Sequence, residues 1–375
     1  MNVAMIGLTH PHSEMYLETL DHLDDVRRVT LYDPDHRDHP DETVARDVAG
    51  RFSKADDVSS SLDSLLARAD ISHALVAVRN DQSVATLVRL IEAGKNVFTE
   101  KPAARTAAEF EEVIAALARN PVGFGVAYLN RWHPAIQQMR SLYRDRAIGT
   151  LTSVELRMVT TQVRFRNPRH WLFQRELAGG GILSWLGCHL IDLLHFVTGE
   201  EIASVAATLA TTSGEEITVE DTAAVSFRLA NGAIGSLHAG YLLAIGAAGY
   251  RGASYDRAIH LRGTDGAITY RFDGPLTLES SAPTWRHPPS RTFDFALPTT
   301  PGYGGMHGVD FVRKFLFAPS PDPTLAGAVD ALRVLETLDA IYEADRSGTT
   351  VDVIRRPWAD RARDAAGSAP EGEGS

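Results

Sequence analysis

Four stretches of the 375-residue chain carry side chains that could do chemistry together. The first is the turn Gly7-Leu8-Thr9-His10-Pro11-His12, after an apolar strand at 3–6 and before a helical pattern marked by Met15, Leu17, Leu20 and Leu23. A dinucleotide loop, G-x-G-x-x-G, stands at such a junction. Gly7 fits the tight turn, while Thr9 and His12 occupy the second and third glycine positions. Pro11 suits the start of a helix but removes an N–H donor. The helix N-terminus still attracts phosphate, and Thr9 and His10 add polar side chains. An ordinary strand-to-helix turn without a cofactor is the other reading. His10 and His12 also invite a metal, but with no Cys or acidic ligand beside them in the sequence, no metal is expected.

The second is Asp33, which ends the next strand, 26 residues after Gly7. A carboxylate there accepts hydrogen bonds from a ribose diol and repels a 2′-phosphate, which favours NAD over NADP. The neighbours His36 and Arg37 leave NADP open, and a turn aspartate before Pro34 is the structural alternative. The third is Thr99-Glu100-Lys101-Pro102, directly after the strand at 96–98. Ligands bind at the carboxyl ends of parallel strands, so Lys101 could orient a hydroxyl or carbonyl. The fourth is the helix opened by Gly179-Gly180-Gly181, in which His189 and Asp192 lie three apart and share a face. Asp192 could orient the imidazole and leave its other nitrogen for proton transfer. A satisfied polar pair in an apolar helix fits the same spacing.

These residues need rigid supports, and the patterning supplies two kinds. The first 125 residues alternate strands and helices, including the fully apolar run 74–78, which argues for a doubly wound parallel sheet. After about residue 150, strand-like segments follow one another with turns such as Asn231-Gly232, which argues for an antiparallel sheet. The expected domains are a dinucleotide-binding domain at 1–126, a substrate and oligomerisation domain at 127–358 and a disordered tail at 359–375. The net charge of -11 argues against nucleic acid and anionic membranes as partners. No apolar run reads as long enough to cross a bilayer. Only one cysteine, Cys188, exists, so no intrachain disulfide forms, and a cytoplasmic location is expected.

Several motifs, in order along the chain, resemble the Gfo/Idh/MocA oxidoreductases. They are Leu90-Ile91-Glu92-Ala93-Gly94-Lys95-Asn96-Val97, Glu100-Lys101-Pro102, Asn130-Arg131-Trp132-His133-Pro134, the triple-glycine helix with Gly187-x-His189-x-x-Asp192, Glu220-Asp221-Thr222-Ala223, Asn231-Gly232-Ala233, Gly263-Thr264-Asp265-Gly266 and Ala340-Ile341-Tyr342-Glu343. The resemblance implies an α/β fold with an N-terminal Rossmann domain and a C-terminal domain built on a large open, mostly antiparallel sheet. It implies NAD(P)-dependent hydride transfer at a hydroxyl or carbonyl carbon of a sugar or polyol, and a homodimer or homotetramer formed through that sheet. On it, Lys101 resembles the lysine that hydrogen-bonds the reacting oxygen, and His189 the histidine that moves the proton. Gly7, Thr9, His10, His12, Asp33, Asn80, Glu100 and Lys101 become the cofactor candidates. Lys101, Arg131, His133, Trp171, Trp185 and His189 become the substrate contacts, with Tyr241 and His307 as further pocket candidates. The chain departs from the family at Trp185, where an aspartate is frequent, and at Thr9. These departures motivate a second reading, a non-catalytic ligand-binding or regulatory protein; a third is a lyase, epimerase or glycosidase-type enzyme that uses bound NAD transiently.

Overall fold

The computed structural model describes residues 1–34, 47–244, 254–296, 300, 302–318, 322 and 324–355. The expected tail at 359–375 and the pair His36 and Arg37 lie outside them. The described chain divides into two compact units. One holds Met1–Ala127 and Thr300–Leu335, with Ile354 and Arg355; the other holds Tyr128–Thr299 and Glu336–Val353.

In the first unit, short apolar segments form six parallel strands: β1 (Asn2–Ile6), β2 (Arg28–Tyr32), β3 (Asp57–Val58), β4 (Ile71–Val76), β5 (Asn96–Thr99) and β6 (Phe124–Val126). Val3 to Ile6 and Ala74 to Val78 are buried, as a sheet covered on both faces requires. The order is β3-β2-β1-β4-β5-β6, the doubly wound arrangement of a Rossmann domain. Strand order reverses between β1 and β4, and the carboxyl ends of those strands flank the crevice where dinucleotides bind. Helices α1 (Ser13–His22), α2 (Asn80–Glu92) and α3 (Ala107–Arg119) connect the strands. Gly94 closes α2 in a left-handed turn at φ +71°. Thr106 caps α3 by accepting from the Glu109 N–H at 3.2 Å.

The second unit opens with α4 (Pro134–Arg144), followed by β7 (Leu151–Thr161) and α5 (Cys188–Thr198). Seven strands come next: β8 (Ile202–Ala210), β9 (Thr222–Leu229), β10 (Ile234–Leu243), β11 (Tyr255–Gly263), β12 (Gly266–Arg271), β13 (Leu276–Ser280) and β14 (Ser290–Phe293). With β7 and β15 (Val351–Asp352) they form a nine-stranded sheet, β14-β13-β12-β11-β7-β10-β9-β8-β15. Only the β7–β10 pairing is parallel. Along β9, Ala223, Val225, Phe227 and Leu229 are buried while Ala224, Ser226 and Arg228 are exposed, so one face packs and the other is open. Gly232 makes the hairpin turn at φ +90°.

Late in the chain, α6 (Met306–Phe317) belongs to the first unit, where Phe311 and Phe315 set their rings 5.9 and 5.5 Å from Phe98. Thus 300–335, which the sequence reading assigned to the second domain, clusters with the first, because these rings cover the apolar side of β5. The last helix, α7, is Ala328–Ser347. The segment Arg175–Thr198 corrects the expectation that no run could cross a bilayer: its length and hydropathy suffice, yet 89% of its apolar window is buried. It is the core helix of the second unit.

Candidate active site

Gly7 has φ +91°, and a Cβ there would lie 2.2 Å from the Ala77 carbonyl oxygen, so no other residue fits the turn against β4. Every expected cofactor residue sits after a strand of the parallel sheet. Gly7, Thr9, His10 and His12 follow β1, and Asp33 follows β2. Asn80, the first residue of α2, comes after β4, and Glu100 and Lys101 follow β5. The glycine turn, the α1 N-terminus and the half-buried Asp33 fit a dinucleotide at the β1/β4 switch point. Tyr128 to Asp192 belong to the other unit.

Glu100 is the hub of the first cluster. Its Oε1 accepts from His12 Nδ1 at 2.9 Å and from the Tyr16 hydroxyl at 2.5 Å. Its Oε2 accepts from the Lys101 backbone N–H at 3.0 Å and lies 3.9 Å from the Lys101 ammonium. Lys101 is fully buried. Burial opposes the Glu100 charge, but the charges and hydrogen bonds of His12 and Lys101 outweigh it and hold the carboxyl far below its usual range. Burial lowers the His12 imidazole, with Glu100 opposing only in part, and Nδ1 faces the Glu100 carboxylate as a donor. Burial also pushes the Tyr16 phenol up. Tyr303 stacks on His12 with ring centroids 4.0 Å apart.

The fold brings an acidic group to His10 and His12 that the sequence reading did not see: donor atoms of His10, His12 and Glu100 lie within 4.8 Å of one another. The contacts shown within this cluster are hydrogen bonds. His10 Nδ1 accepts from the His12 backbone N–H at 3.1 Å, which places the His10 proton on Nε2, and both Glu100 oxygens are engaged.

The second cluster surrounds the triple glycine. A Cβ on Gly180 would fall 1.9 Å from the Tyr342 hydroxyl, and one on Gly181 would fall 1.9 Å from the Glu220 carbonyl oxygen. The glycines therefore admit a clasp. Glu220 accepts from the N–H of Gly181 at 2.9 Å, from that of Leu183 at 3.1 Å and from Tyr342 at 3.0 Å. A carboxylate there satisfies orphan donors and complements the helix dipole. The clasped turn, Leu183–Gly187, is a π-helix that runs into α5. Such turns gather at functional sites. Trp185 lies within it and is buried. His189 follows, with its ring edge-on to Tyr128 at 5.9 Å.

The sequence reading gave Asp192 to His189. In the structure Asp192 is gripped by Arg131, Nη2 to Oδ1 at 2.6 Å and Nε to Oδ2 at 3.0 Å. Arg131 thereby lies in a buried ion pair. His133 caps α4 by accepting from the Ala135 N–H at 3.1 Å and also meets the Tyr270 hydroxyl. Trp171 is buried in a short 3-10 turn. The Arg166 guanidinium covers the Tyr241 ring, which lies edge-on to Phe173. His307 is half-buried in the first turn of α6, in the other unit. Tyr16, Tyr303, Glu220 and Tyr342 were not expected at the site. The four-residue spacing from His12 to Tyr16 on one helix face was a usable signal; Tyr303, far along the chain, left none.

Comparisons with known proteins agree with this fold. A family model described as "Oxidoreductase family, NAD-binding Rossmann fold" matches residues 1–128, and one described as "GFO/IDH/MocA C-terminal domain" matches residues 136–269. Levoglucosan dehydrogenase of Pseudarthrobacter phenanthrenivorans is 26% identical over 83% of this chain and 87% of its own length. Inositol 2-dehydrogenase of Rhizobium meliloti is 25% identical over 75% and 80%. A solved levoglucosan dehydrogenase in complex with NADH and levoglucosan superposes with a TM-score of 0.79 at 23% identity, over 95% of this chain and all of that one.

The fold and the crevice thus define an NAD-binding oxidoreductase of the Rossmann class. The chain belongs to the Gfo/Idh/MocA family.

Proposed function

We propose that this protein transfers hydride between NAD and a CH–OH carbon of a sugar or polyol. The observation that carries the reading is the Gly7 turn at the switch point of the parallel sheet, with buried Lys101 fixed at the carboxyl end of β5. Bound nicotinamide would supply the hydride acceptor. Gly7, Thr9, His10, His12 and Asn80 would hold the cofactor phosphates and nicotinamide end, and Asp33 the adenosine ribose, with NAD preferred. Lys101 would donate to the substrate oxygen and lower the cost of its developing negative charge. His189 would take the hydroxyl proton. Asp192 would act through Arg131 as a positioning residue, and Trp171, Trp185 and His133 would wall the substrate. The relatives that act on levoglucosan and inositol support this substrate class.

The test is to titrate NADH and NADPH against tryptophan fluorescence, then follow NADH formation with levoglucosan and myo-inositol. Binding of NADH and turnover of either alcohol support the reading. Failure of both nucleotides to bind at millimolar concentration would sink it in favour of a non-catalytic protein. Substrate loss without net NADH would favour transient use of the cofactor. The same reading takes the protein as cytoplasmic and as a homodimer or homotetramer through the open face of the nine-stranded sheet, where Arg228, Ile234, Ser236 and His238 are exposed. Light scattering after size exclusion checks the assembly.

A further inference from the structure

Of the four lysines in the chain, two described ones are held by carbonyls. Lys54 Nζ donates to the carbonyls of Leu20, Asp21 and Leu23, and Lys95 Nζ to those of Arg68 and Ile71. Lys314 faces Asp322 with a 42% exposed side chain. At Lys101 the neighbouring Glu100 accepts from the backbone N–H and lies 3.9 Å from the ammonium, both through the same Oε2. A buried carboxylate is a sound anchor only when its other lone pairs are satisfied. His12 and Tyr16 satisfy the second oxygen. Both come from the segment after β1, His12 as the residue before α1 and Tyr16 one turn further. Tyr303 closes the cluster, stacked on His12, with its N–H 3.3 Å from the Thr19 hydroxyl.

We propose that His12 and Tyr16 are positioning residues for Lys101: they lock Glu100, and Glu100 locks the lysine, so the cofactor loop and the catalytic lysine are tied through one carboxylate. A glycine at position 12 would leave Glu100 one donor short, which gives a physical reason for an imidazole where the dinucleotide loop usually has glycine. The proposal rests on the reading that the loop binds NAD and that Lys101 meets the reacting oxygen.

The test uses the full chain and no substrate. Trace labelling with acetic anhydride, read by mass spectrometry, reports the relative reactivity of Lys54, Lys95, Lys101 and Lys314 in one sample. Tyr16→Phe and His12→Leu should each raise Lys101 labelling about tenfold, the scale of one lost hydrogen bond to a charged group. Lys95, buried in the same unit, should stay unchanged. His12→Asn keeps a donor near the Nδ1 position and should restore protection. Unchanged Lys101, or Lys101 and Lys95 rising together, overturns the proposal. So does one-to-one binding of Zn2+ that His10→Ala abolishes, since the cluster would then be a metal site. If the lysine pattern holds but NADH gives Lys101 no added protection, the positioning stands and the dinucleotide reading is what fails.

Discussion

Arg131 holds Asp192 through two nitrogens, with side chains 3% and 1% exposed. The guanidinium also lies 4.9 Å from the centre of the Phe196 ring. Removing one member of such a pair strands a buried charge. Asp192→Ala should therefore cost about 3–5 kcal/mol, read as a lower urea midpoint. The double change Asp192→Leu with Arg131→Met removes both charges and should recover a large part. A single variant as stable as the parent would show that the pair carries no structural weight.

Gly180 and Gly181 give a second, graded prediction. The neighbour of a Gly180 Cβ is the end of a side chain, the Tyr342 phenol. Gly180→Ala should cost about 1–3 kcal/mol, as overpacking does, and Tyr342→Phe should rescue it in part. The neighbour of a Gly181 Cβ is the Glu220 backbone. Gly181→Ala should therefore cost more than Gly180→Ala, and no side-chain change should repair it. Thermal melts of the three variants decide; equal losses would contradict the clasp.

The parallel sheet was legible in the sequence because its signal is local: buried runs such as 74–78, bounded by Gly7, Gly94 and polar turns. The open antiparallel sheet was legible for the same reason, through strand-like segments following one another and the Asn231-Gly232 turn. Individual motif residues were also found. Their partners were not, since pairing across 61 residues, as for Arg131 and Asp192, has no periodic trace. The three-residue spacing of His189 and Asp192 suggested a local pair, whereas the long-range Arg131 partner of Asp192 had no spacing to announce it. Likewise His10 and His12 looked free of acids because Glu100 is 88 positions from His12.

Glu220 and Asp221 are neighbours pushed in opposite directions. Burial raises the Glu220 carboxyl above its ordinary 4.5, although the N–H groups of Gly181 and Leu183 oppose it. Burial also works against Asp221, but hydrogen bonds from Thr212 and Ser213 win and lower it below 3.8. A raised acid favours the fold below its unfolded value and loses that contribution as pH rises through the folded one. A lowered acid contributes above its unfolded value and loses it as pH falls. The melting temperature of the parent should thus decline relative to Glu220→Gln as pH climbs from 4.5. Relative to Asp221→Asn, it should decline as pH drops below 3.8. Parallel curves for parent and variant would refute the assigned directions; a constant offset would not, because each variant also loses an acceptor.

His189 should separate binding from chemistry. It forms neither the Gly7 turn nor the α1 terminus and is no cofactor candidate, so His189→Asn should still quench with NADH at concentrations close to the parent's. Turnover is a different matter. An ammonium aimed at a developing alkoxide, and an imidazole that moves its proton, act mainly in the transition state. Losing either, in Lys101→Met or His189→Asn, should lower kcat at least about a hundredfold, the scale of general acid–base catalysis, with the KM for the alcohol changed much less. Combining the two should cost less than the product of the single losses, because residues acting as a unit are not additive. Steady-state rates on the better of levoglucosan and myo-inositol supply the measurement. Full activity in both single variants would remove these residues from the mechanism. A loss confined to KM would make them substrate contacts rather than catalytic groups.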